Sequence, residues 1–456
     1  MAVEHLVDFH TGHVIDMLRG LPENSVQTVV TSPPYFGLRD YGLEPVVWEP
    51  VVYAPMPGLA GIRVPEWADP DRWAACDHEW DEWVEDHDVR EMAIAGKTRT
   101  TDRSYGGDAS RRFDGNHQKH RHGQFCRRCG AWRGCLGLEP SVDLYIGHLV
   151  QVFREVRRVL REDGTLWLNL GDSYAGGRGN ATGIKPKDLL GVPWRAAFAL
   201  QSDGWWLRSD IVFAKLNPMP ESVTDRPTRA HEFHFLLTKS ERYFYDHIAI
   251  REPSVTKPQR RLTQRHSERD AHMRPDKIYP YRLSDVPIQQ QSDRNRRDVW
   301  TISTKPYAGA HFAVMPVDLV EPCVLAGTSE AGACAQCGAP WERVVEREIS
   351  DAPDSYNGSS FDRGKSREAR EFLASVGTAP RTAGVRTTGW RPTCRCGTDD
   401  RAPCVVLDPF GGSGTVALVA RKLGRRAWYI DASPDYRDLA EERLGLLGKQ
   451  ETLLLG

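Results

Sequence analysis

Five consecutive residues, Thr31-Ser32-Pro33-Pro34-Tyr35, can hold a planar amino group. They end the β-branched run Val26–Thr31, which is typical of a buried parallel strand. The two prolines restrict the backbone and remove N–H donors, so carbonyl groups stay available as acceptors. Ser32 adds a short polar side chain, and Tyr35 adds an aromatic face. Two fixed acceptors can hold both hydrogens of an amine and turn its lone pair toward an electrophile, which is catalysis by positioning. A plain strand-ending turn is the alternative interpretation.

A second motif, Asp408-Pro409-Phe410-Gly411-Gly412-Ser413-Gly414-Thr415, lies between a short strand and a helix. Glycines let a ligand approach the backbone, and the first turn of the helix offers unpaired N–H groups. Asp431 ends the next strand, where a carboxylate can accept hydrogen bonds from a ribose. The same glycines fit a dinucleotide-binding pattern. This motif alone leaves that reading and a ligand-free turn open.

Cysteine and histidine residues fall into two sets whose spacing is typical of zinc ligands. Each set lies in a segment poor in apolar residues, which a bound metal can stabilise. Reduced cysteines in loops are the alternative. The first set is Cys76, His78, Cys126 and Cys129, and the second is Cys334, Cys337, Cys394 and Cys396.

The chain has 456 residues and a formal net charge of −2, with 60 Lys and Arg against 62 Asp and Glu. This balance is unusual for a protein that binds nucleic acid, so the local distribution of charge is more informative. Residues 251–300 carry twelve Lys and Arg against seven Asp and Glu. No apolar run is long enough to cross a membrane, and no signal segment opens the chain. We therefore expect a cytoplasmic protein in which disulfides are unlikely partners for the cysteines.

Hydrophobic periodicity predicts strands and helices in alternation. Residues 1–38 predict strand, helix, strand and turn, and residues 144–160 predict a helix that is broken by Asp163-Gly164 before a strand at 165–170. A helix at 189–200 and a strand at 205–214 repeat this order, and residues 231–237 with 243–245 predict an antiparallel hairpin. We predict a mixed, mostly parallel seven-stranded sheet with helices on both faces, interrupted by irregular insertions at 40–140 and 328–402.

The Ser-Pro-Pro-Tyr and Asp-Pro-Phe-x-Gly-x-Gly motifs, in this order, resemble the β-class amino-methyltransferases of DNA. These enzymes modify cytosine N4 or adenine N6. The resemblance implies an α/β fold, with a Rossmann-like class I methyltransferase sheet that is circularly permuted. The cysteine spacing adds zinc-binding insertions to this fold. It implies that Ser32, Pro33, Pro34 and Tyr35 are catalytic. Ser32 and the Pro33 carbonyl would hold the amine, and Tyr35 would stack on a base flipped out of the duplex.

The same resemblance implies that S-adenosylmethionine is the cofactor. Phe410, Gly412 and Gly414 would surround its methionine part, and Asp431, where the family often has Glu, would bind its ribose. Gly12-His13 departs from the family's usual Gly-Asp, which puts the contact with adenine in doubt. The implied cofactor-binding set is His311, Phe312, Asp408, Phe410, Gly412, Gly414, Thr415 and Asp431.

The segment Thr228–Glu232 resembles the stretch that precedes the target-recognition region in this family. Five arginines in the region that follows are candidates for contacts with phosphates or bases. They are Arg260, Arg261, Arg294, Arg296 and Arg297. A solvated loop is the alternative for this stretch.

These observations divide the chain as follows: 1–39 and 136–245, the catalytic half of the core; 40–135, an insertion with a zinc site; 246–305, the target-recognition region; 306–327 and 403–447, the cofactor-binding half; and 328–402, an insertion with a zinc ribbon.

The sequence as a whole predicts a site-specific methyltransferase that acts on double-stranded DNA. Family members with Ser before Pro-Pro-Tyr mostly methylate cytosine N4, so this target is favoured over adenine N6. Two other classes remain as alternatives: a dinucleotide-dependent oxidoreductase, and a catalytically inactive zinc-bearing DNA-binding protein. A restriction endonuclease is a candidate partner. The target sequence and the oligomeric state are left open.

Overall fold

In the computed structural model of the protein, the described residues are 6–37, 40–85, 121–175, 184–253, 293–303, 314–349 and 382–445. The chain divides into two compact units. The larger unit comprises Met1–Ala249, Arg297–Glu342 and Pro392–Gly456, and the smaller comprises Ile250–Arg296 and Arg343–Arg391.

The larger unit is built on one eight-stranded sheet. Its strands lie in the order β1-β8-β7-β2-β3-β5-β4-β6, so neighbours in the sheet are often distant along the chain. The strands are β1 Val7–Thr11, β2 Val26–Thr31, β3 Leu160–Leu170, β4 Trp206–Lys215, β5 His231–Thr238, β6 Val299–Ile302, β7 Val405–Asp408 and β8 Arg426–Asp431.

Strand direction places one end of most strands at a common edge of the sheet. The five strands from β1 to β3 in the sheet order are mutually parallel. Strand β5 is antiparallel to both β3 and β4, and β6 is parallel to β4. The carboxyl ends of β2, β3, β4, β7 and β8 therefore meet the amino end of β5 at one edge, which we call the site edge. The opposite edge, where β2 and β3 begin, we call the far edge.

Six helices in the described ranges connect and cover the strands. Helix α2 packs against both α1 and α3, and α4 packs against α5. All six residues of β2 are buried, as expected for a central strand covered on both faces. The helices are α1 Val14–Arg19, α2 Val142–Val159, α3 Val192–Ser202, α4 Val317–Gly327, α5 Thr415–Lys422 and α6 Pro434–Gly445.

The two segments that the sequence predicts to be irregular insertions contain short strands. In the first, four strands form a small sheet in the order Val46–Trp48, Trp132–Gly134, Arg121–Phe125, Val84–Glu85. A hairpin of Val51–Tyr53 and Ile62–Val64 and a 3-10 helix at Pro70–Ala75 accompany it. The other short pairs are Ala333–Cys334 with Arg401–Ala402, Trp341–Ile349 with Thr382–Pro392, and Glu252–Pro253 with Asp293–Arg294.

The predicted mixed α/β sheet is confirmed, with two differences in detail. The sheet has eight strands rather than seven, because Val299–Ile302 adds to the outer edge of β4. That strand is only four residues long, with Trp300 and Ile302 buried, and its signal is weak within a charged region. The predicted hairpin with residues 243–245 is wrong. Both edges of β5 are already paired, with β3 and β4, so no further strand can add there.

The helix that precedes β3 also ends earlier than the sequence predicts. Strand β3 begins at Leu160, so Asp163-Gly164 lies within the strand rather than separating it from the helix. None of the helices in the described ranges combines the length and apolar character that a membrane crossing requires.

Candidate active site

The two sequence motifs meet in one cavity at the site edge, with a volume of about 820 Å³. The first motif follows β2, and the second follows β7, the neighbour of β2 in the sheet. Because both strands are parallel and adjacent, their carboxyl ends bring the two motifs together. From the predicted site, the cavity is lined by Ser32, Pro33, Pro34, Tyr35, Asp408, Phe410, Gly412, Thr415 and Asp431.

Asp431, at the end of β8, is held by the glycine turn that it faces. Its Oδ2 accepts a hydrogen bond from the Gly412 N–H at 2.8 Å, and its Oδ1 accepts one from the Ser433 N–H at 2.8 Å. Burial raises the pKa of this carboxyl group. Each oxygen keeps a further lone pair, so a fixed acceptor is directed at the cavity.

Asp408, at the end of β7, links the two motifs. It accepts hydrogen bonds from the Thr31 hydroxyl at 2.7 Å and from the Phe410 N–H at 3.1 Å. Burial raises the pKa of Asp408 to about 7, although both hydrogen bonds act in the opposite direction. Thr31 directly precedes Ser32, so this contact fixes the cofactor turn relative to the amine-holding motif.

Gly414 has a backbone role in the glycine turn. It is not among the residues that line the cavity, and its contact with the cofactor stays a prediction. Its φ of +75° favours glycine, and an added Cβ would lie 2.8 Å from the Cβ of Ala440 in α6. Gly414 therefore shapes the turn and allows α6 to approach it.

The carbonyl groups of the two prolines are not equivalent. The Pro34 carbonyl accepts a hydrogen bond from the Tyr145 hydroxyl of α2 at 2.8 Å. That contact anchors the loop to a buried helix residue, since Tyr145 is fully buried. Pro33 is then the proline whose carbonyl is the better candidate to hold an amine beside Ser32.

The Tyr35 ring packs against the backbone of Gly171, just beyond the end of β3. A Cβ at position 171 would lie 2.6 Å from Cε2 of the tyrosine, so only glycine leaves room for the ring. The Tyr35 hydroxyl donates to Glu232 Oε2 at 2.9 Å and accepts from Asn169 Nδ2 at 2.7 Å. Burial raises the pKa of Tyr35 well above its usual value. The ring is thus fixed at one face and at its hydroxyl.

Several cavity residues were not selected from the sequence as site residues. Asn169, Lys215 and Glu232 lie beside Tyr35, on three strands that end or begin at the site edge. A polar residue at the end of an apolar strand was the available signal for each. His13 also lines the cavity, and burial lowers its pKa, so the neutral imidazole stands where a carboxylate was expected.

The first predicted metal set forms a compact cluster, which we call the first cluster. The Cys76 and Cys126 sulfurs are 3.7 Å apart, and the Cys129 sulfur is 3.6 Å from Nδ1 of His78. Ligands about 2.3 Å from one tetrahedral zinc ion lie about 3.8 Å from one another, so these spacings fit a single ion. Although burial acts against it, the hydrogen bond with His78 lowers the pKa of Cys126 to about 6.

The second predicted set also comes together, as the second cluster of Cys334, Cys337, Cys394 and Cys396. In each cluster the potential ligand atoms all lie within 4.8 Å of one another. Hydrogen bonds from the backbone at Cys337 and Gln336 lower the pKa of Cys334 to about 7, which favours the thiolate that a metal binds. The two clusters arise from residues far apart in sequence, which supports the spacing-based prediction.

The remaining predicted residues are only partly described. His311, Phe312, Arg260 and Arg261 lie outside the described residues, although Val314 and Met315 line the cavity directly after the first two. Arg294 forms an ion pair with Glu252 at 2.8 Å. Arg296 is partly buried, and Arg297 is exposed. Contacts between these arginines and DNA therefore stay a prediction.

Comparison with known proteins identifies the family. The sequence profile of the DNA methylase family of N6- and N4-methyltransferases matches residues 26–335 and 403–442. The chain therefore belongs to the DNA amino-methyltransferases.

Individual relatives match most of the chain. It is 30% identical over 452 residues to the type II methyltransferase M.Cfr9I of Citrobacter freundii, covering 95% of this chain and 86% of the relative. It is 34% identical over 330 residues to the type II methyltransferase M.SmaI of Serratia marcescens, covering 68% and 77%. Among solved structures, the cytosine-N4-specific PvuII DNA methyltransferase aligns with 96% of this chain and 86% of its own, at 12% identity and a TM-score of 0.43.

Proposed function

We propose that this enzyme transfers a methyl group from S-adenosylmethionine to N4 of cytosine in double-stranded DNA. The observation that carries the proposal is that the amine-holding motif and the glycine turn line one cavity. A volume of about 820 Å³ lies in the usual range for a pocket that holds a cofactor together with part of a substrate.

The residues of the cavity fit S-adenosylmethionine. Phe410 and Gly412 would contact its methionine part, and the fixed oxygens of Asp431 would accept hydrogen bonds from its ribose. Nε2 of His13 is buried without a hydrogen-bond partner among the described residues, so a ligand atom can supply one. When bound, the cofactor supplies an electrophilic methyl group on a sulfonium ion.

Ser32 and the Pro33 carbonyl would accept the two hydrogens of the target amine. Tyr35 would stack on the flipped base with the ring face that Gly171 does not cover. The ring nitrogen beside the target amine is N3 in cytosine. Adenine presents N1 in the same relation, so the preference for cytosine depends on the family resemblance of Ser32 more than on this geometry.

The order of strands supports a circular permutation of the class I methyltransferase sheet. The amine-holding motif follows β2 near the start of the chain, whereas the cofactor turn follows β7 near its end. Both nevertheless lie on adjacent strands. We infer that the catalytic half precedes the cofactor-binding half in sequence without altering their positions in the sheet.

We further propose that each cysteine cluster binds one zinc ion. Ligand spacing near 3.7 Å and four ligands per cluster favour a closed structural site over a catalytic one, which would keep an open position. Purified protein should then contain about two zinc ions per chain. A metal-free protein with normal stability would contradict both sites.

The relatives' names as type II methyltransferases favour site-specific methylation within a restriction-modification system. An endonuclease partner and a cytoplasmic location follow as proposals from the same names.

For DNA contacts, replacing Arg260 and Arg261 by Ala should weaken binding and flatten its dependence on salt. An unchanged salt dependence would indicate that other residues form the DNA-binding surface.

The central experiment identifies the product. DNA methylated by the enzyme is digested to nucleosides and analysed by mass spectrometry, and N4-methylcytosine is the expected product. N6-methyladenine alone would overturn the cytosine assignment but keep the class. No methylated base, despite binding of both cofactor and DNA, would favour the inactive DNA-binding protein.

Two variants test the assigned roles. Ser32→Ala should lower the rate of methyl transfer by about 100-fold with little change in cofactor affinity, because the amine loses one of its two acceptors. Ser25→Ala is the matched control: it removes a hydroxyl just before β2 begins, whose partner is the Pro22 carbonyl. Gly171→Ala should displace the Tyr35 ring and lower the same rate. Full activity of Ser32→Ala or Gly171→Ala contradicts the corresponding role.

A further inference from the structure

A chain of hydrogen bonds leads from the amine-holding residue to a carboxylate. The Ser32 hydroxyl donates to the Tyr35 hydroxyl oxygen at 3.2 Å, and the Tyr35 hydroxyl donates to Oε2 of Glu232 at 2.9 Å. All three residues line the cavity. Ser32 is therefore connected to Glu232 through a single intervening hydroxyl group.

Asn169 determines the direction of this chain. Its Nδ2 donates one hydrogen to the Tyr35 oxygen at 2.7 Å and the other to Glu232 Oε2 at 2.7 Å. A phenol oxygen has two lone pairs and one hydrogen. Because both lone pairs of Tyr35 accept, from Asn169 and from Ser32, its own hydrogen must be donated to Glu232. The network is thus polarised from Ser32 toward the carboxylate.

The carboxylate at the end of the chain has a second partner. Lys215, at the end of β4, donates to Oε1 of Glu232. The titratable groups that contact Glu232 among the described residues are Tyr35, from the loop after β2, and this lysine. Lys215 therefore binds one oxygen of the Glu232 carboxylate, and the other oxygen accepts the last hydrogen bond of the series that begins at Ser32.

Methyl transfer to an exocyclic amine requires an acceptor for a proton. As the new N–C bond forms, the electron pair of the breaking C–S bond goes to sulfur, and the amine nitrogen becomes positively charged and acidic. Water in the cavity is one acceptor, but the Glu232 side chain is only 15% exposed and lies beside buried Asn169, so this carboxylate is largely shielded from water. A positioned base provides the alternative.

We propose that Glu232 receives this proton through Ser32 and Tyr35. The amine proton passes to Oγ of Ser32, the Ser32 proton passes to the Tyr35 oxygen, and the Tyr35 proton passes to Oε2 of Glu232. The sulfonium charge and the carboxylate charge disappear together, so the balance is complete. The inference rests on the proposed transfer to an amine, but not on which base carries it.

A purely structural role for Glu232, which would hold Tyr35 in place for stacking, makes different predictions from a proton relay. The experiment measures single-turnover methyl transfer at saturating cofactor and DNA, as a function of pH and in H₂O and D₂O. The wild-type rate should decrease toward acidic pH, as expected for a step that depends on a general base, and it should show a solvent isotope effect.

Glu232→Gln should lower this rate by about 100-fold and abolish the acidic decrease, with dissociation constants for cofactor and DNA within about threefold of wild type. Tyr35→Phe keeps the ring but removes the hydroxyl that links Ser32 to Glu232, so it should lower the rate by the same factor. The double variant should be no slower than either single variant, because both interrupt one relay. Glu232→Asp should regain the acidic decrease.

Glu221→Gln is the matched control. This glutamate precedes β5 and pairs with Arg226 at 2.6 Å, and it does not line the cavity. It should keep the wild-type rate and pH profile. If Glu232→Gln keeps the wild-type rate, or loses rate while its pH profile keeps the wild-type shape, the relay is wrong. The methylated base formed by the wild-type enzyme tests the proposed function separately, so the two failures are distinguishable.

Discussion

The two cysteine clusters have similar ligands but lie against opposite edges of the same sheet. The first cluster belongs to the small sheet that supplies part of the cavity wall. Its strand Val46–Trp48 pairs with Trp132–Gly134, directly after Cys126 and Cys129. From this insertion, the residues that line the cavity are Tyr41, Leu43, Glu44, Val46, Trp48, Cys135 and Leu136.

The second cluster contacts the beginning of the strands whose other ends carry the site. The Cys337 carbonyl accepts a hydrogen bond from Arg161 near the start of β3, and the Gly338 carbonyl accepts one from Gln27 at 2.8 Å. Gln27 and Ser32 are separated by five residues of strand, or about 17 Å. A disturbance at the second cluster therefore has to cross the full sheet to reach the site.

Carboxyl groups at the two edges also differ in the direction in which their surroundings shift the pKa. At the site edge, Asp408 is buried and Asp431 is partly buried, and burial raises the pKa of both. At the far edge, Glu162 forms an ion pair with Lys239 at 2.9 Å, and that hydrogen bond lowers the pKa of Glu162. Burial therefore raises the pKa of these two cavity acids, whereas pairing with a cation lowers the pKa of Glu162 at the far edge.

The most direct test of the difference between the clusters is Cys126→Ser in the first cluster. Loss of a buried ligand should remove one zinc ion and loosen the small sheet, so cofactor affinity should decrease by about tenfold or more, ~1.4 kcal/mol. Metal analysis and calorimetry with S-adenosylmethionine measure the two effects. Loss of zinc with unchanged cofactor affinity would show that the first cluster does not support the cavity wall.

Cys334→Ser in the second cluster is the matched comparison. It should also remove one zinc ion and lower the melting temperature, because a structural metal site contributes to the free energy of folding. Cofactor affinity should stay within about twofold of wild type, because the cluster lies at the far edge. If Cys334→Ser lowers cofactor affinity as much as Cys126→Ser does, the two clusters do not differ in their effect on the cavity.

Asp408→Asn tests the buried acid of the site edge. The pKa of Asp408 rises from 3.8 to about 7 on folding. Between these pH values the folded chain holds a proton that the unfolded chain releases, so wild-type stability should decrease as pH rises from about 4 to 7. Relative to Asp408→Asn, the free energy of unfolding should decrease by about 1–4 kcal/mol between pH 5 and pH 8. Denaturant titrations without cofactor measure it, and parallel pH profiles would contradict the assignment.

The smallest expected effect is that of Glu162→Gln at the far edge. The lowered pKa of Glu162 means that its pairing with Lys239 stabilises the fold above the ordinary pKa of 4.5 and is lost as pH falls. Because the Glu162 side chain is 70% exposed, the loss at pH 7 should be below about 1 kcal/mol. A larger loss would show that the far edge depends on this pair more than exposure indicates.

The sequence alone was sufficient for the elements with strong periodicity and for the residues that carry short motifs. Val26–Thr31, the helix before β3 and the glycine turn follow from local patterns. The members of the two cysteine clusters were also predictable as sets, because the spacing of the thiols within each half is a local property. The Ser-Pro-Pro-Tyr and glycine motifs were sufficient to predict the family, which the comparisons confirm.

Only the tertiary structure decided which distant residues act together. Strand β6 was missed because four residues in a charged region give little periodic signal. The hairpin with residues 243–245 was wrongly predicted because the sequence of a strand does not show which strands it pairs with. The close approach of Ala440 in α6 to Gly414 is likewise visible only in the folded chain. Asn169, Lys215 and Glu232 lie on three different strands, and each looks ordinary in its own segment. Strand pairing is a long-range interaction, so the relay they form around Tyr35 exists only once the sheet has brought those strands together.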